Sequence, residues 1–505
     1  MYFQKWLAGA ALGLALVSVA QAQAPNAQVV RRAESLSQQQ IQASQNVAGL
    51  QALAGIYHAT GDKQRYRWAL DRLTTLRPGS LRLKLALAAS YAGDDMKTPA
   101  YDLLLRIKGQ GFGVDIGDDP RFEKIHGTQV WDYIVANLKE SLKPFGEGKP
   151  AFTLKRKGLL IEAIGYDPAR KQFLFGSAHD GHVYLGDKNG NLHDFIAPDA
   201  SNKLWAVMDL VADAKRNRLW VATTSVPQFE GYSADNAGKA ALDEFNLKTG
   251  KLLHRYELPG RKVFLSSLAL APNGDIYAAD GVNRVIYTIE KGKLKELVGN
   301  RHLSSIRAMT VGPGGKVLYL ADPQIGVLGF DLKTHKAFGL GYNPEALVLP
   351  GIVDMLAYDG TLVVVEPGMQ PARVMRLTLS DDGRRVTKAM PLDVAQPAFE
   401  NLGAATAVGD TMYFIANNQQ GKYDQHGLVR DDATLEPLTI FASNLRYAWG
   451  ESGINMGMHA LPTAKPGAKG AAAGKRQMVK PLQGPGWMKH GFQADRPAAA
   501  SSGGK

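Results

Sequence analysis

The chain has 505 residues, 45% of them apolar, and no cysteine, which excludes disulfides, thiolate metal sites and cysteine nucleophiles. Its formal charge of +12 would suit a nucleic-acid partner, but from Glu451 onward eight Lys/Arg stand against two acids. Half of the excess therefore sits in a terminal tail; no nucleic-acid partner is expected, and an anionic surface is the contact such a tail predicts.

Residues 1–22 read as a signal peptide: Lys5 precedes an apolar stretch that ends in the small-x-small site Ala20-Gln21-Ala22. A periplasmic or secreted location in a bacterial envelope follows as an expectation. No later segment is apolar enough to span a bilayer.

Residues 25–145 carry helical periodicity. "LAGIYHATGDKQRYRWALDRLTTLRPGS" has apolar residues at three-to-four spacing and stops at Pro78-Gly79. "LALAASYAGDDMKTPAYDLLLRIKGQG" repeats it: Leu53, Ala54 and Tyr57 recur as Leu87, Ala88 and Tyr91, an offset of 34. That is the tetratricopeptide period. "DDPRFEKIHGTQVWDYIVANLKESL" reads as a capping helix with Trp131 on its apolar face. A protein partner on this domain is one reading and a plain helical packing domain is the other, since fewer than three repeats make a short array.

From about residue 150 the period becomes alternating. Six segments, "QFLFGSA", "RLWVATT", "DIYAAD", "VLYLAD", "TLVVVEP" and "TMYFIAN", each follow a short strand and a turn. One head-of-strand position can be indexed through all six as Glu162, Met208, Ser266, Arg307, Asp354 and Gly403, spaced by 46, 58, 41, 47 and 49 residues. Four strands per repeat of that length predict a mainly β protein, a six-bladed β-propeller over residues 150–445. "PAFTLKR" is placed to supply the outer strand that closes the ring. Residues 446–505, rich in Ala, Gly, Pro and Lys, lack an apolar face and read as a disordered basic tail.

In a propeller the inner strands line a central channel, so the six indexed positions should converge at one mouth. Glu162, Ser266, Arg307 and Asp354 are the polar candidates there; Met208 and Gly403 offer no chemistry, and Asp209 reads as a blade-turn aspartate. Phe229 and Tyr232 lie in the longest insertion, in the second blade, which is expected to fold over the mouth and offer stacking surface. The sequence has no G-x-S-x-G elbow, no phosphate loop and no H-E-x-x-H.

The run from Glu162 to Asp167, with the repeated strand-turn-strand blades, resembles the senescence-marker-protein/gluconolactonase family of six-bladed propellers over roughly residues 150–445. The resemblance implies a divalent cation, calcium or zinc, held in hydrolytic members by one Glu, two Asn and one Asp at inner-strand heads. Glu162 matches the glutamate and Asp354 the aspartate, while Ser266 and Arg307 stand where the asparagines belong. A guanidinium has no acceptor atom. Two like charges about 4 Å apart repel by about 4 kcal/mol near a protein surface, and a doubly charged ion doubles that.

No cofactor is therefore expected. The function expected is non-catalytic binding of a small polar or sugar-like ligand, with Arg307 on an anionic or hydroxyl-rich group and Glu162 and Asp354 orienting it. The alternatives are a lactonase- or esterase-type hydrolase with calcium or zinc at Glu162, Ser266 and Asp354, and a protein-interaction module working through the helices.

Overall fold

The computed structural model describes residues 27–258 and 262–447. The expected signal peptide and nearly all of the basic tail lie outside the described residues.

Among the described residues seven α-helices come first: α1 (Ala27–Glu34), α2 (Gln38–Ala43), α3 (Val47–Thr60), α4 (Lys63–Leu76), α5 (Leu81–Ala92), α6 (Lys97–Gly109) and α7 (Gln129–Glu140). The 34-residue repeat is visible in the backbone, since α5 starts 34 residues after α3 and α6 starts 34 after α4. Three of these starts are set by side-chain caps. Asn46, Asp62 and Ser80 accept from the amides of Gly49, Arg65 and Leu83, satisfying N–H groups that no helical carbonyl can reach. Gly61 ends α3 at φ 74°, a left-handed conformation that suits glycine. Tyr57, fully buried, donates to the carbonyl of Ala33 at 2.7 Å and ties α1 to α3. Asp62 also pairs with Arg65 at 2.7 Å. Asp62→Ala should therefore cost about 1 kcal/mol in equilibrium urea unfolding; no measurable loss would show that this cap is redundant.

Among the described residues the propeller has six antiparallel blades, five of four strands and the fifth with an added edge strand, Phe145–Gly146. Their inner strands are Ile161–Asp167, Ala206–Asp213, Leu265–Leu270, Ala308–Val311, Asp354–Tyr358 and Ala405–Val408. Each packs beside the next, and the sixth meets the first. The second strands, such as Thr361–Glu366, are buried almost throughout because neighbouring blades cover both of their faces. Outer strands such as Leu252–Glu257 are half-exposed and polar. The ring closes where expected: Lys149–Thr153 pairs with Thr439–Asn444, putting Phe152 opposite Ile440, so the last blade takes its outer strand from the N-terminal side. Such closure leaves no open seam between the first and last blades.

The helical domain is seated on the propeller rather than tethered to it. Val348 and Met369 of the propeller share one core cluster with Leu104, Phe112, Ile134 and Leu138. Arg106 pairs with Glu345 at 2.6 Å, and Gln110 donates to the carbonyl of Pro344. At the centre Arg373, 1% exposed, pairs with Glu366, 0% exposed, at 2.7 Å. The same guanidinium donates to the carbonyls of Val348 and Gln110. Among the described residues no helix is long and apolar enough to cross a membrane.

Candidate functional site

A cavity of about 70 Å³ opens where the inner strands begin, lined by residues of several blades. Glu162, Met208, Ser266, Arg307, Asp354 and Gly403 all border it, together with Asp209, Phe264, Ser267, Val353, Asn401, Asn418 and Gln420.

Local backbone irregularity aims these side chains. In the first three blades the ladder skips one residue at Glu162, at Met208 and at Ser266. A β-bulge of this kind adds an unpaired residue and turns its side chain. Consecutive residues can then face the same space, as Met208 with Asp209 and Ser266 with Ser267 do.

The fifth blade departs from the sequence index by one residue. The amide of Arg307 bonds the carbonyl of Ala321, and the equivalent bonds elsewhere run from Val353 to Val365 and from Gly403 to Ile415. Val353, not Asp354, therefore holds the head position. The fifth blade turns through only Asp359 and Gly360 between paired Tyr358 and Thr361, and its ladder has no bulge. The first blade turns through four residues between Asp167 and Gln172. Counting five residues back from Asp359, as from Asp167 to Glu162, thus stops one short of the head.

Asp354 belongs instead to a second level, with Asp209 and Ser267. Each of the three accepts an amide of the following blade: Leu268 to Asp209 at 2.6 Å, Met309 to Ser267 at 3.0 Å, Ala405 to Asp354 at 2.6 Å. Asp209 and Asp354 accept a second amide, from Leu210 and Met355. These carboxyls stitch blade to blade. Asp209, expected in a turn, lies in the channel.

Blade order fixes who faces whom. Glu162 on the first blade looks across at Arg307 on the fourth, and Asp209 on the second across at Asp354 on the fifth. Glu162 accepts from Asn418 at 3.1 Å. Burial pushes its carboxyl up to about 6, against the pull of Asn418 and the positive charge of Arg307. Burial also pushes Asp209 up to about 8, helped by the charge of Asp354, and Asp354 itself up to about 6. Arg307 is shifted down by burial and held up by Glu162. The two attract through space, yet they form no bridge: among the described residues the Arg307 guanidinium has neither an ion pair nor a hydrogen bond, and Asp354 accepts two backbone amides instead.

Phe229 and Tyr232 are not among the lining residues. Phe229 packs on a cluster of Leu160, Met208, Val226 and Tyr423, one layer outside the cavity. The amide of Tyr232 bonds the carbonyl of Phe229 in the same loop. The polar wall comes instead from the sixth blade, through Asn401, Asn418 and Gln420. The signal for the latter two was the polar run "NNQQGKYDQHG", too long for a blade turn.

The donor set does not fit a divalent cation. Of the six head positions Glu162 alone carries a carboxylate. Met208, Val353 and Gly403 carry no ligand, and the hydroxyl of Ser266 donates to the carbonyl of Ile306 at 2.8 Å. Arg307 adds a fixed positive charge, whereas a hard cation takes several oxygen ligands. Glu162, Ser266 and Asp354, the set that the resemblance implied, are split between two levels. Among the described residues no three His, Asp or Glu are placed to hold a metal ion.

The fold and site define a six-bladed β-propeller with a polar channel mouth and a seated helical domain. No family model matches the sequence, and no curated protein matches it. Among solved structures, the chain is similar to virginiamycin B lyase from Staphylococcus aureus at 14% identity, over 60% of this chain and 100% of that one, with a TM-score of 0.39. A gluconolactonase from Xanthomonas campestris is similar at 11% identity, over 60% and 98%, with a TM-score of 0.38. The PQQ-bound aldose sugar dehydrogenase from Streptomyces coelicolor follows at 13%, over 60% and 100%, with a TM-score of 0.37. At these values no activity carries over.

Proposed function

We propose that this is an exported binding protein whose channel mouth holds a small ligand by an anionic group on Arg307, without a resident metal. The observation that carries the reading is the partnerless guanidinium bordering the cavity. Desolvating a cation without pairing it is costly, and a ligand anion repays that cost. Glu162 and the amides of Asn401, Asn418 and Gln420 are available to orient the rest of the molecule. Binding rather than catalysis is supported by the same inventory. Among the described residues no histidine lines the cavity, Ser266 is turned to a backbone carbonyl, and Asp209 and Asp354 each accept two backbone amides.

The test is calorimetric titration of the full chain with small carboxylates, parent against Arg307→Gln. Loss of the charged hydrogen bonds should weaken binding by about 1.5–3 kcal/mol while folding stability holds or rises. Binding that is indifferent to Arg307 would remove the reading.

A further inference from the structure

The titratable lining of the cavity is unbalanced: three carboxyls, Glu162, Asp209 and Asp354, face one guanidinium, Arg307, and with Asp209 holding its proton at neutral pH two negative charges still stand against one positive. A bare carboxylate on Arg307 would add negative charge to a negative site. A bare amine would suit the acids and leave Arg307 unpartnered. Glu162 and Arg307 stand on opposite walls with open space between them and no ion pair closing it.

We infer that the ligand is a zwitterion, its carboxylate on Arg307 and its ammonium toward the acids, with a small α-amino acid as the simplest case. The inference rests on the binding reading above and specifies its ligand class. Such a molecule pairs both sides of the cavity and leaves its net charge unchanged. The acids keep the capacity for it. A carboxylate has about four acceptor sites; Asp354 gives two to backbone amides, and Glu162 gives one to Asn418. The amides of Asn401, Asn418 and Gln420 can serve either end. Size agrees as well. A cavity of about 70 Å³ has room for a molecule of a few heavy atoms, such as glycine, alanine or serine.

The experiment is titration of the full chain at neutral pH with three probe sets: glycine, L-alanine and L-serine; acetate and propionate; methylamine and ethylamine. The zwitterions are expected to bind at least about tenfold more tightly than either half. Glu162→Gln, whose amide oxygen can still accept from Asn418, should weaken the amino acids about tenfold while leaving acetate unchanged or tighter. Arg307→Gln should weaken both. Acetate binding as tightly as glycine, still dependent on Arg307, overturns the zwitterion and leaves the anion-binding reading standing. If no probe binds in an Arg307-dependent way, both fall.

Discussion

Arg373→Met is expected to destabilise the protein by about 3–5 kcal/mol, the loss seen when one partner of a fully buried ion pair is removed. Arg373 and Glu366 are 1% and 0% exposed, so water cannot take over the abandoned carboxylate. Its other oxygen, Oε1, already lacks a hydrogen-bond partner. The substitution also strips donors from the carbonyls of Val348 and Gln110, and Gln110 lies at the end of α6. The damage therefore falls on the seam between helices and propeller. Two controls separate this from a general surface-charge effect. Arg106→Ala removes a seam ion pair that is roughly half-exposed and should cost no more than about 1 kcal/mol. Pairing Arg373→Met with Glu366→Leu should recover part of the loss, because no charge is stranded, but not all, because the two carbonyls stay unpaired. Equilibrium urea unfolding measures all three. A loss for Arg373→Met no larger than for Arg106→Ala would mean that the pair does not hold the seam.

The propeller was legible because its second strands leave a repeated imprint. Segments such as "RLWVATT" and "TLVVVEP" have an unbroken apolar centre and are buried almost throughout because neighbouring blades cover both faces, and each follows a turn. The helical repeat was legible for a similar reason, since Ala54, Tyr57 and Ala88 recur where helices must approach closely. The site was legible only to within a residue. Which residue faces the channel depends on bulges, and a bulge is a backbone choice that leaves no distinct residue type behind. Glu162 and Ser266 each stand at a bulge at the head of their strand; Asp354 was displaced by one because its blade has no bulge and turns in two residues. Asp209 was misassigned because an aspartate near a strand end ordinarily caps a turn, as Asp167 and Asp213 do here. Asn418 and Gln420 reach the cavity from a long loop, where no periodicity indicates direction. Arg373 reads as an ordinary strand start; that its side chain meets α6 is a consequence of tertiary docking alone.

The channel carboxyls should make stability fall as pH rises. Glu162 and Asp354 are pushed up to about 6 and Asp209 up to about 8, all above the values they take in an unfolded chain. A raised carboxyl holds its proton in the folded state after the unfolded chain has released it. Its stabilising contribution is full below about pH 4, the unfolded carboxyl value, and is lost as pH climbs through the folded values. The window here runs from about pH 4 to 6 for Glu162 and Asp354 and on to about 8 for Asp209. Each pH unit of difference is worth about 1.4 kcal/mol per group, so Asp209 alone can tilt the curve by several kcal/mol. Asp209→Asn isolates that share. Its amide offers one acceptor oxygen where the carboxyl offers two, so either Leu210 or Leu268 loses a partner at a cost of about 1–3 kcal/mol. It carries no charge opposite Asp354 at any pH. The variant should therefore be less stable than the parent at pH 5 and as stable or more stable at pH 9, with the curves crossing between. Denaturant midpoints at half-unit steps of pH would show it. Parallel curves would mean that Asp209 is ionised throughout, its two amide bonds outweighing both burial and the carboxyl across the channel.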